Sequence, residues 1–119
     1  MTTDYIAVHA DALVADAIAA LRKYEGDVET VTHVYLLDEN EVLQGVVPLI
    51  KILLSQGATQ LRELKDDHIV SCEIETSGKK VAELFDKYNL RALPVLDNAK
   101  KLTGVIYAEQ VIAQLRHNG

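Results

Sequence analysis

Apolar side chains recur at helical spacing in two separate stretches of the chain. The positions i, i+3, i+4 and i+7 are filled by Val14, Ala17, Ile18 and Leu21, and again by Val81, Leu84, Phe85 and Tyr88. Each set lies on one face of an α-helix, so the pattern predicts two amphipathic helices. Ser77 is a suitable N-cap for the second helix, whereas Leu13, at the equivalent place before the first, cannot cap with its side chain. Ala108, Val111, Ile112 and Leu115 predict a final helix in the same way.

Short apolar runs separated by polar turns follow each of the first two helices. Residues 33–37 and 92–96 predict buried strands, and residues 43–47 and 102–106 predict the strands that return. Between them, Asp38 and Asp97 open polar segments typical of hairpin turns. Pro48 fits the first turn of a further helix, because that position needs no backbone N–H. A polar connector with a brief helical turn then leads to the second stretch.

The two stretches are copies of one unit. Asp38 aligns with Asp97 and Gly45 aligns with Gly104, while the first copy carries a short insertion around residues 25–29. We predict a first motif at 1–57, a linker at 58–68 and a second motif at 69–119. Neither copy is large enough to cover its own sheet on both sides, so the two are expected to share one core. The prediction is an α+β module with pseudo-two-fold symmetry and a cleft between the copies.

Composition and charge indicate which partners and which cellular location to expect. The chain has 119 residues and a formal net charge of −6, which disfavours nucleic acid and anionic lipid as partners. Its most apolar stretch, residues 46–54, is too short to span a bilayer and includes Lys51, so no direct membrane insertion is expected. A single cysteine cannot form an intrachain disulfide, which favours a cytoplasmic location.

No catalytic constellation is visible in the sequence. The four histidines are scattered without metal-ligand spacing, and Cys72 lies in no recognisable nucleophile motif. We interpret these residues as surface or core side chains. The sequence therefore predicts a protein that is not an enzyme.

One stretch of the second copy is specific enough to suggest a family. Residues 88–97, Tyr-Asn-Leu-Arg-Ala-Leu-Pro-Val-Leu-Asp, are followed by a polar turn, by Gly104-Val105-Ile106 and by a helix. This arrangement resembles a CBS domain, and two in tandem resemble a CBS pair, or Bateman module, of two βαββα motifs. Residues 1–8 and the insertion ending at residues 29–31 further resemble the cytoplasmic CBS region of MgtE-type magnesium transporters.

The resemblance implies a regulatory role. CBS pairs commonly bind adenine nucleotides such as ATP or AMP between their copies and form disc-like homodimers. In MgtE-type proteins the module senses Mg²⁺ and helps to close the pore. The resemblance thus implies a ligand-sensing module whose partner is a membrane transporter domain, in the same chain or a separate one.

The nucleotide motif of the family is altered in both copies. The usual pattern is Gly-apolar-x-Ser/Thr-x-x-Asp, in which the hydroxyl meets the phosphate and the Asp holds the ribose. The first copy has Pro48 and Lys51 at these two positions, and the second has Tyr107 and Gln110. The predicted cleft residues are these four together with Arg91 and Pro94. The alternative is a structural homodimerisation module with degenerate ligand sites, which associates through residues 49–54 and 104–112.

Mg²⁺ prefers oxygen ligands, and the resemblance directs attention to acidic side chains. The residues predicted for Mg²⁺ are Asp38, Glu39, Glu41, Asp66, Asp67 and Glu109. The alternative interpretation is that these acids form a solvated face and bind nothing.

Overall fold

The chain alternates short helices and strands in the same order twice. The computed structural model describes residues 1–66 and 68–111. The helices are α1 (Val14–Lys23), α2 (Leu49–Leu53) and α3 (Gly78–Tyr88), and the strands are β1 (Ala7–His9), β2 (His33–Leu37), β3 (Leu43–Pro48), β4 (Cys72–Glu73), β5 (Ala92–Leu96) and β6 (Leu102–Tyr107). Residues 108–111 are also helical. The remainder of the predicted final helix, including Ile112 and Leu115, lies outside the described residues. The predicted α+β class is confirmed.

The two copies form equivalent three-stranded sheets, ordered β1-β2-β3 and β4-β5-β6. In each sheet the first pair of strands is parallel and the second is antiparallel. Leu36 lies opposite Gly45, and at the equivalent place Val95 lies opposite Gly104. The register shifts one residue later in both sheets. The repeat seen in the sequence therefore extends to strand register and to the irregularity in the hairpin.

The hairpin turns form through their aspartates, as predicted. The Asp38 carboxylate accepts hydrogen bonds from the backbone N–H groups of Asn40 (2.8 Å) and Val42 (3.0 Å). Asp97 makes the equivalent pair of bonds at the second turn. Local side-chain-to-backbone bonds of this kind hold a turn against the strand ladder.

The tips of the two hairpins join the sheets to each other. Glu41 and Lys100 both have φ of 67°. The Leu43 N–H donates to the Lys100 carbonyl at 3.1 Å, and the Leu102 N–H donates to the Glu41 carbonyl at 3.2 Å. This reciprocal pair of bonds, one from each copy, joins equivalent positions of the two hairpins.

The faces of the two sheets share one apolar core. Its buried members come from both copies: Tyr35, Val46, Ala92, Leu96, Leu102, Val105 and Tyr107. The opposite face of each sheet packs on its own helices in two further clusters. The prediction that the copies close against each other is confirmed.

Side-chain hydrogen bonds cap the N-terminal ends of α3 and α1. The Ser77 hydroxyl accepts from the Lys80 N–H at 3.1 Å, which caps α3 as predicted. At α1, where Leu13 offers no side-chain acceptor, the Asp16 carboxylate instead accepts from the Leu13 N–H at 2.9 Å. Tyr88 was predicted on the packed face of α3, but it is 47% exposed. It occupies the last turn, where the Lys87 ammonium lies 5.1 Å from its ring centroid.

Each sheet is bordered by the segment that precedes the other copy's first strand. Thr2 exchanges two backbone hydrogen bonds with Val105, both of 2.8 Å, and the Asp66 N–H donates to the Val46 carbonyl at 3.0 Å. Gly104 lies beneath this N-terminal segment, and a Cβ built on it would lie 3.0 Å from the Thr2 carbonyl oxygen and collide with the Met1 side chain.

We expect Gly104→Ala to lower the free energy of unfolding by about 1 kcal/mol, because the added methyl group displaces the N-terminal segment. Gly78→Ala is the matched control, since a Cβ there meets nothing within 4 Å at the first turn of α3. That variant is expected to be more stable by about 0.5 kcal/mol. Urea denaturation measures both, and equal effects of the two substitutions would contradict the close approach at Gly104.

Candidate functional site

A cavity of about 200 Å³ opens between the two sheets, and we call it the first cleft. The linker and the loop before β5 form its rim, and strands β2, β3 and β5 form its floor. Its lining residues are His33, Tyr35, Val46, Asp66, His68, Ile69, Val70, Asn89, Leu90, Arg91, Ala92 and Pro94. Both copies contribute to it, because the linker crosses from the first sheet to the second.

The rim of the first cleft carries basic side chains. Arg91 lines it from the loop before β5, and His68 lines it from the linker. Lys51 on α2 points towards the same rim, since its Nζ lies 3.7 Å from the Asp66 Oδ1. Asp66 is the carboxylate among the described lining residues. Among the described residues, the Arg91 guanidinium and the Lys51 ammonium outnumber the Asp66 carboxylate at this rim, which favours an anionic ligand.

His33 forms part of the floor and is held neutral. Burial lowers the pKa of His33, although the nearby Asp66 carboxylate opposes the shift. Its Nδ1 lies 2.8 Å from the Thr32 hydroxyl oxygen, which fixes the ring. A neutral imidazole offers a hydrogen-bonding edge without adding charge.

Apolar side chains line both the floor and the rim of the first cleft. Val46, Ile69, Leu90 and Pro94 are the side chains that a flat, weakly polar group would contact. The site thus combines apolar lining residues with a basic rim, which is the chemistry that a ligand with an aromatic ring and a phosphate requires.

A second cavity, of about 170 Å³, lies at the position related to the first cleft by the repeat. This second cleft is lined by Thr2, Asp4, Tyr24, Asp27, Thr30, Tyr107 and Gln110. The Gln110 side-chain oxygen accepts from the Tyr107 N–H at 3.0 Å, and the Tyr107 hydroxyl donates to the Asp4 carbonyl at 3.2 Å. Burial raises the pKa of Tyr107 to about 12, so its hydroxyl stays protonated at neutral pH.

The six predicted cleft residues are divided between the two cavities. Arg91 and Pro94 line the first cleft, and Lys51 reaches its rim through Asp66. Tyr107 and Gln110 line the second. Pro48 is the half-buried residue that precedes α2.

The predicted Mg²⁺ ligands do not converge. Asp38, Glu39 and Glu41 lie in one hairpin turn, where the Asp38 carboxylate is engaged by backbone N–H groups and the Glu39 carboxylate lies 3.8 Å from His9. Asp66 lines the first cleft, and Glu109 is exposed on the last described helical turn. Asp67 lies outside the described residues. Within residues 1–66 and 68–111, no three His, Cys, Asp or Glu side chains are grouped to hold a metal.

Several cleft residues were not predicted as site residues. His33 was interpreted as an ordinary surface or core histidine, and so was His68, yet both line the first cleft. Asp4, Tyr24 and Asp27 line the second. The repeat itself held a signal for some of them, because Asp4 and His68 occupy equivalent positions in the segments that precede β1 and β4.

The surface of α2 is unusually apolar for an exposed helix. Ile50 is 62% exposed, Leu53 is 56% exposed and Leu54 is 81% exposed.

In the described part of the chain, no helix has the length and hydropathy needed to cross a bilayer.

Comparisons with known proteins agree on one family. The sequence profile of the CBS domain matches twice, at residues 1–56 and 61–117. Magnesium transporter MgtE of Thermus thermophilus is 30% identical over 112 residues, which cover 94% of this chain and 25% of the transporter. MgtE of Enterococcus faecalis is 25% identical over the same shares of the two chains. This chain therefore spans about a quarter of the length of these relatives.

Solved structures show the same likeness. The cytosolic domain of the Mg²⁺ channel MgtE in complex with ATP superposes with a TM-score of 0.89 at 29% identity, covering 96% of this chain and 46% of that one. The soluble part of a magnesium transporter superposes with a TM-score of 0.90 at 22% identity, covering 98% of this chain and 46% of that one.

Proposed function

This chain belongs to the CBS domain family, of which it carries two tandem copies, and we propose that it is a regulatory module that binds an adenine nucleotide in the first cleft. The observation that carries the proposal is a cavity between the copies that combines Arg91 with apolar lining residues and whose Asp66 carboxylate lies 3.7 Å from the Lys51 ammonium. The ATP complex of the related MgtE cytosolic domain supports the same class of ligand. In this proposal the chain acts by binding and not by catalysis.

The adenine ring is placed among the apolar side chains of the first cleft. Ile69 and Val70 line the cavity from the segment before β4, and Leu90 and Pro94 line it from the loop before β5 and from β5 itself. The neutral His33 imidazole offers a hydrogen bond to a ring nitrogen or the ribose without a charge that would disfavour burial.

The phosphates are placed at the basic rim. Arg91 presents a planar guanidinium that can hold two phosphate oxygens at once. Lys51 takes the place of the ribose-binding Asp of the usual motif and adds a second cation. This substitution removes a ribose contact and strengthens the attraction for phosphate, so we expect ATP to bind more tightly than AMP.

Mg²⁺ is proposed to enter with the nucleotide. Protein sites for Mg²⁺ commonly use one or two carboxylates together with phosphate oxygens and water. Asp66 supplies a carboxylate at the rim, 3.7 Å from the Lys51 ammonium. This arrangement gives the module a response to Mg²⁺ without a dedicated cluster of acidic side chains.

The proposed output is a change in a transporter domain. The relatives are MgtE magnesium transporters of which this chain matches about a quarter, so we propose a place on the cytoplasmic side of such a protein or as its separate partner. A ligand that binds one arrangement of the two copies more tightly shifts the population towards it, and that shift reaches the partner.

Calorimetric titration of the chain with ATP, ADP and AMP, each with and without MgCl₂, tests the proposal. We expect saturable ATP binding that weakens as phosphates are removed. At 100 times the dissociation constant, ATP should raise the free energy of unfolding by about 2.7 kcal/mol. Asp66→Asn should reduce the effect of MgCl₂ while leaving metal-free binding in place. No heat and no thermal stabilisation with any nucleotide would overturn the proposal.

A homodimerisation module is the second candidate function, and the exposed apolar surface of α2 favours it. Ile50, Leu53 and Leu54 together form a patch of the kind that closed two-fold interfaces bury. Dimerisation is compatible with nucleotide binding and also stands without it.

We expect the chain to sediment as a dimer and Leu54→Glu to shift it to a monomer, because a carboxylate would be buried without a partner at the interface. Ile74→Glu is the matched control, since Ile74 is 56% exposed at a position remote in sequence from α2. Analytical ultracentrifugation measures both variants. A wild-type monomer at high micromolar concentration would rule out this function.

A further inference from the structure

We propose that Asp4 and Asp27 exclude anionic nucleotides from the second cleft, so that each chain binds a single nucleotide, in the first cleft. Nucleotide binding in the first cleft rests on the proposed function. Exclusion of nucleotides from the second cleft does not, and it can be tested separately.

The two clefts are equivalent by strand register. Thr2 pairs with Val105 as Asp66 pairs with Val46, and these two strand residues each follow the equivalent glycines of β6 and β3. Counting two residues onward in both segments places Asp4 where the first cleft has His68. The second cleft therefore has the backbone frame of a nucleotide site, with different side chains on it.

The basic side chains of the first cleft are replaced by acidic or neutral ones in the second. Asp4 replaces His68, and Gln110 replaces Lys51. Thr32 occupies the position before β2 that Arg91 occupies before β5. Three cationic or titratable groups are thus exchanged for one acid and two neutral side chains.

The insertion of the first copy adds a second carboxylate. Residues 25–29 have no counterpart in the second copy, and they carry Asp27 to the second cleft. The Asp27 carboxylate accepts from the Glu29 N–H at 3.1 Å, at the start of the 3₁₀ turn Val28–Thr30. The Tyr24 ring covers Gly26, where a Cβ would collide with it, so the insertion is folded compactly at this edge.

The two cavities differ in charge more than in volume. Their volumes are similar, about 200 Å³ and 170 Å³. Both carboxylates act on the same part of the second cleft, because Asp4 and Asp27 both raise the pKa of Tyr24 after the larger effect of burial. Phosphates placed there would meet like charges without a cation among the described lining residues. Repulsion of the wrong ligand is an established route to specificity.

The test compares the number of ATP sites in the wild-type chain, in the double variant D4N/D27N, and in the control E83Q/D86N. The amide that D27N introduces can still cap the 3₁₀ turn through its side-chain oxygen. The control removes the same charge from two exposed positions of α3. Calorimetric titration with ATP at low salt gives the stoichiometry, and circular dichroism verifies that each variant is folded.

We expect one site in the wild type and control, and two in D4N/D27N. Two sites in the wild type, or no added site in the double variant, would overturn the inference while leaving the proposed function intact. An equal gain in the control would also overturn it, because net charge would then be the cause. If the wild type binds nothing and D4N/D27N gains one site, the proposed function fails but the exclusion by Asp4 and Asp27 stands.

Discussion

Leu36→Ala is expected to lower the free energy of unfolding by about 3 kcal/mol and to do so in a single cooperative transition. Leu36 lies on the central strand of the first sheet and has no exposed surface. Its truncation removes apolar burial and leaves a cavity that the surrounding core fills only partly, which typically costs about 2–5 kcal/mol.

The single transition follows from the shared core. Tyr35 and Val46 of the first copy pack with Val105 and Tyr107 of the second, and the hairpin tips exchange backbone hydrogen bonds. Unfolding one copy would expose the sheet face of the other, so both should unfold together.

Two further variants serve as comparisons, one at a buried position of the second copy and one at an exposed position. Leu93→Ala, equally buried but in the second copy, should lower the same transition, whereas Ile74→Ala at a 56% exposed position outside the proposed dimer interface should change it little. Urea denaturation followed by far-ultraviolet circular dichroism and by tyrosine fluorescence gives the measurement. Two separated transitions in Leu36→Ala would show that the copies are independent.

Arg91→Ala is expected to weaken ATP binding by about 10- to 150-fold, since hydrogen bonds to charged groups contribute about 1.5–3 kcal/mol. Arg91 is exposed at the rim of the first cleft, so its removal should leave the stability of the unliganded protein nearly unchanged. Arg91→Lys should retain part of the affinity, because an ammonium keeps the charge but not the two-pronged geometry.

Arg22→Ala is the matched control for charge. Arg22 is exposed in the last turn of α1 and lies outside both clefts. It should bind ATP as the wild type does. Calorimetric titration at two salt concentrations would separate the specific contact from general electrostatic attraction. Unchanged affinity in Arg91→Ala would remove the first cleft as the phosphate site.

The likeness between the two copies was predictable from the sequence for a physical reason. Hydrophobic periodicity reports which face of a helix or strand is buried, and both copies bury the same faces. The aspartates of the hairpin turns were predictable on the same grounds, because Asp38 and Asp97 act on backbone groups only two and four residues away. The exposure of Tyr88 was not predictable, because helical spacing does not report how far the rest of the fold covers the last turn of a helix.

For the candidate site, the sequence predicted several of the residues but not how they are arranged. Arg91, Pro94, Tyr107 and Gln110 could be selected from the repeat and its resemblance to a family, since each occupies a motif position. The sequence did not indicate that they belong to two separate cavities. That division depends on the linker and the N-terminal segment crossing to opposite sheets, through contacts such as Thr2 with Val105 that are far apart in the chain.

The sequence by itself determined the repeated α+β unit and the turn chemistry, because hydrophobic periodicity and short-range side-chain hydrogen bonds involve residues that are close in the chain. Only the tertiary structure decided which charges face which cleft. It brought Lys51 to within 3.7 Å of Asp66 and placed Asp4 and Asp27 around one cavity. Electrostatic character is a property of groups brought together across the fold, and the order of residues along the chain does not specify that distance.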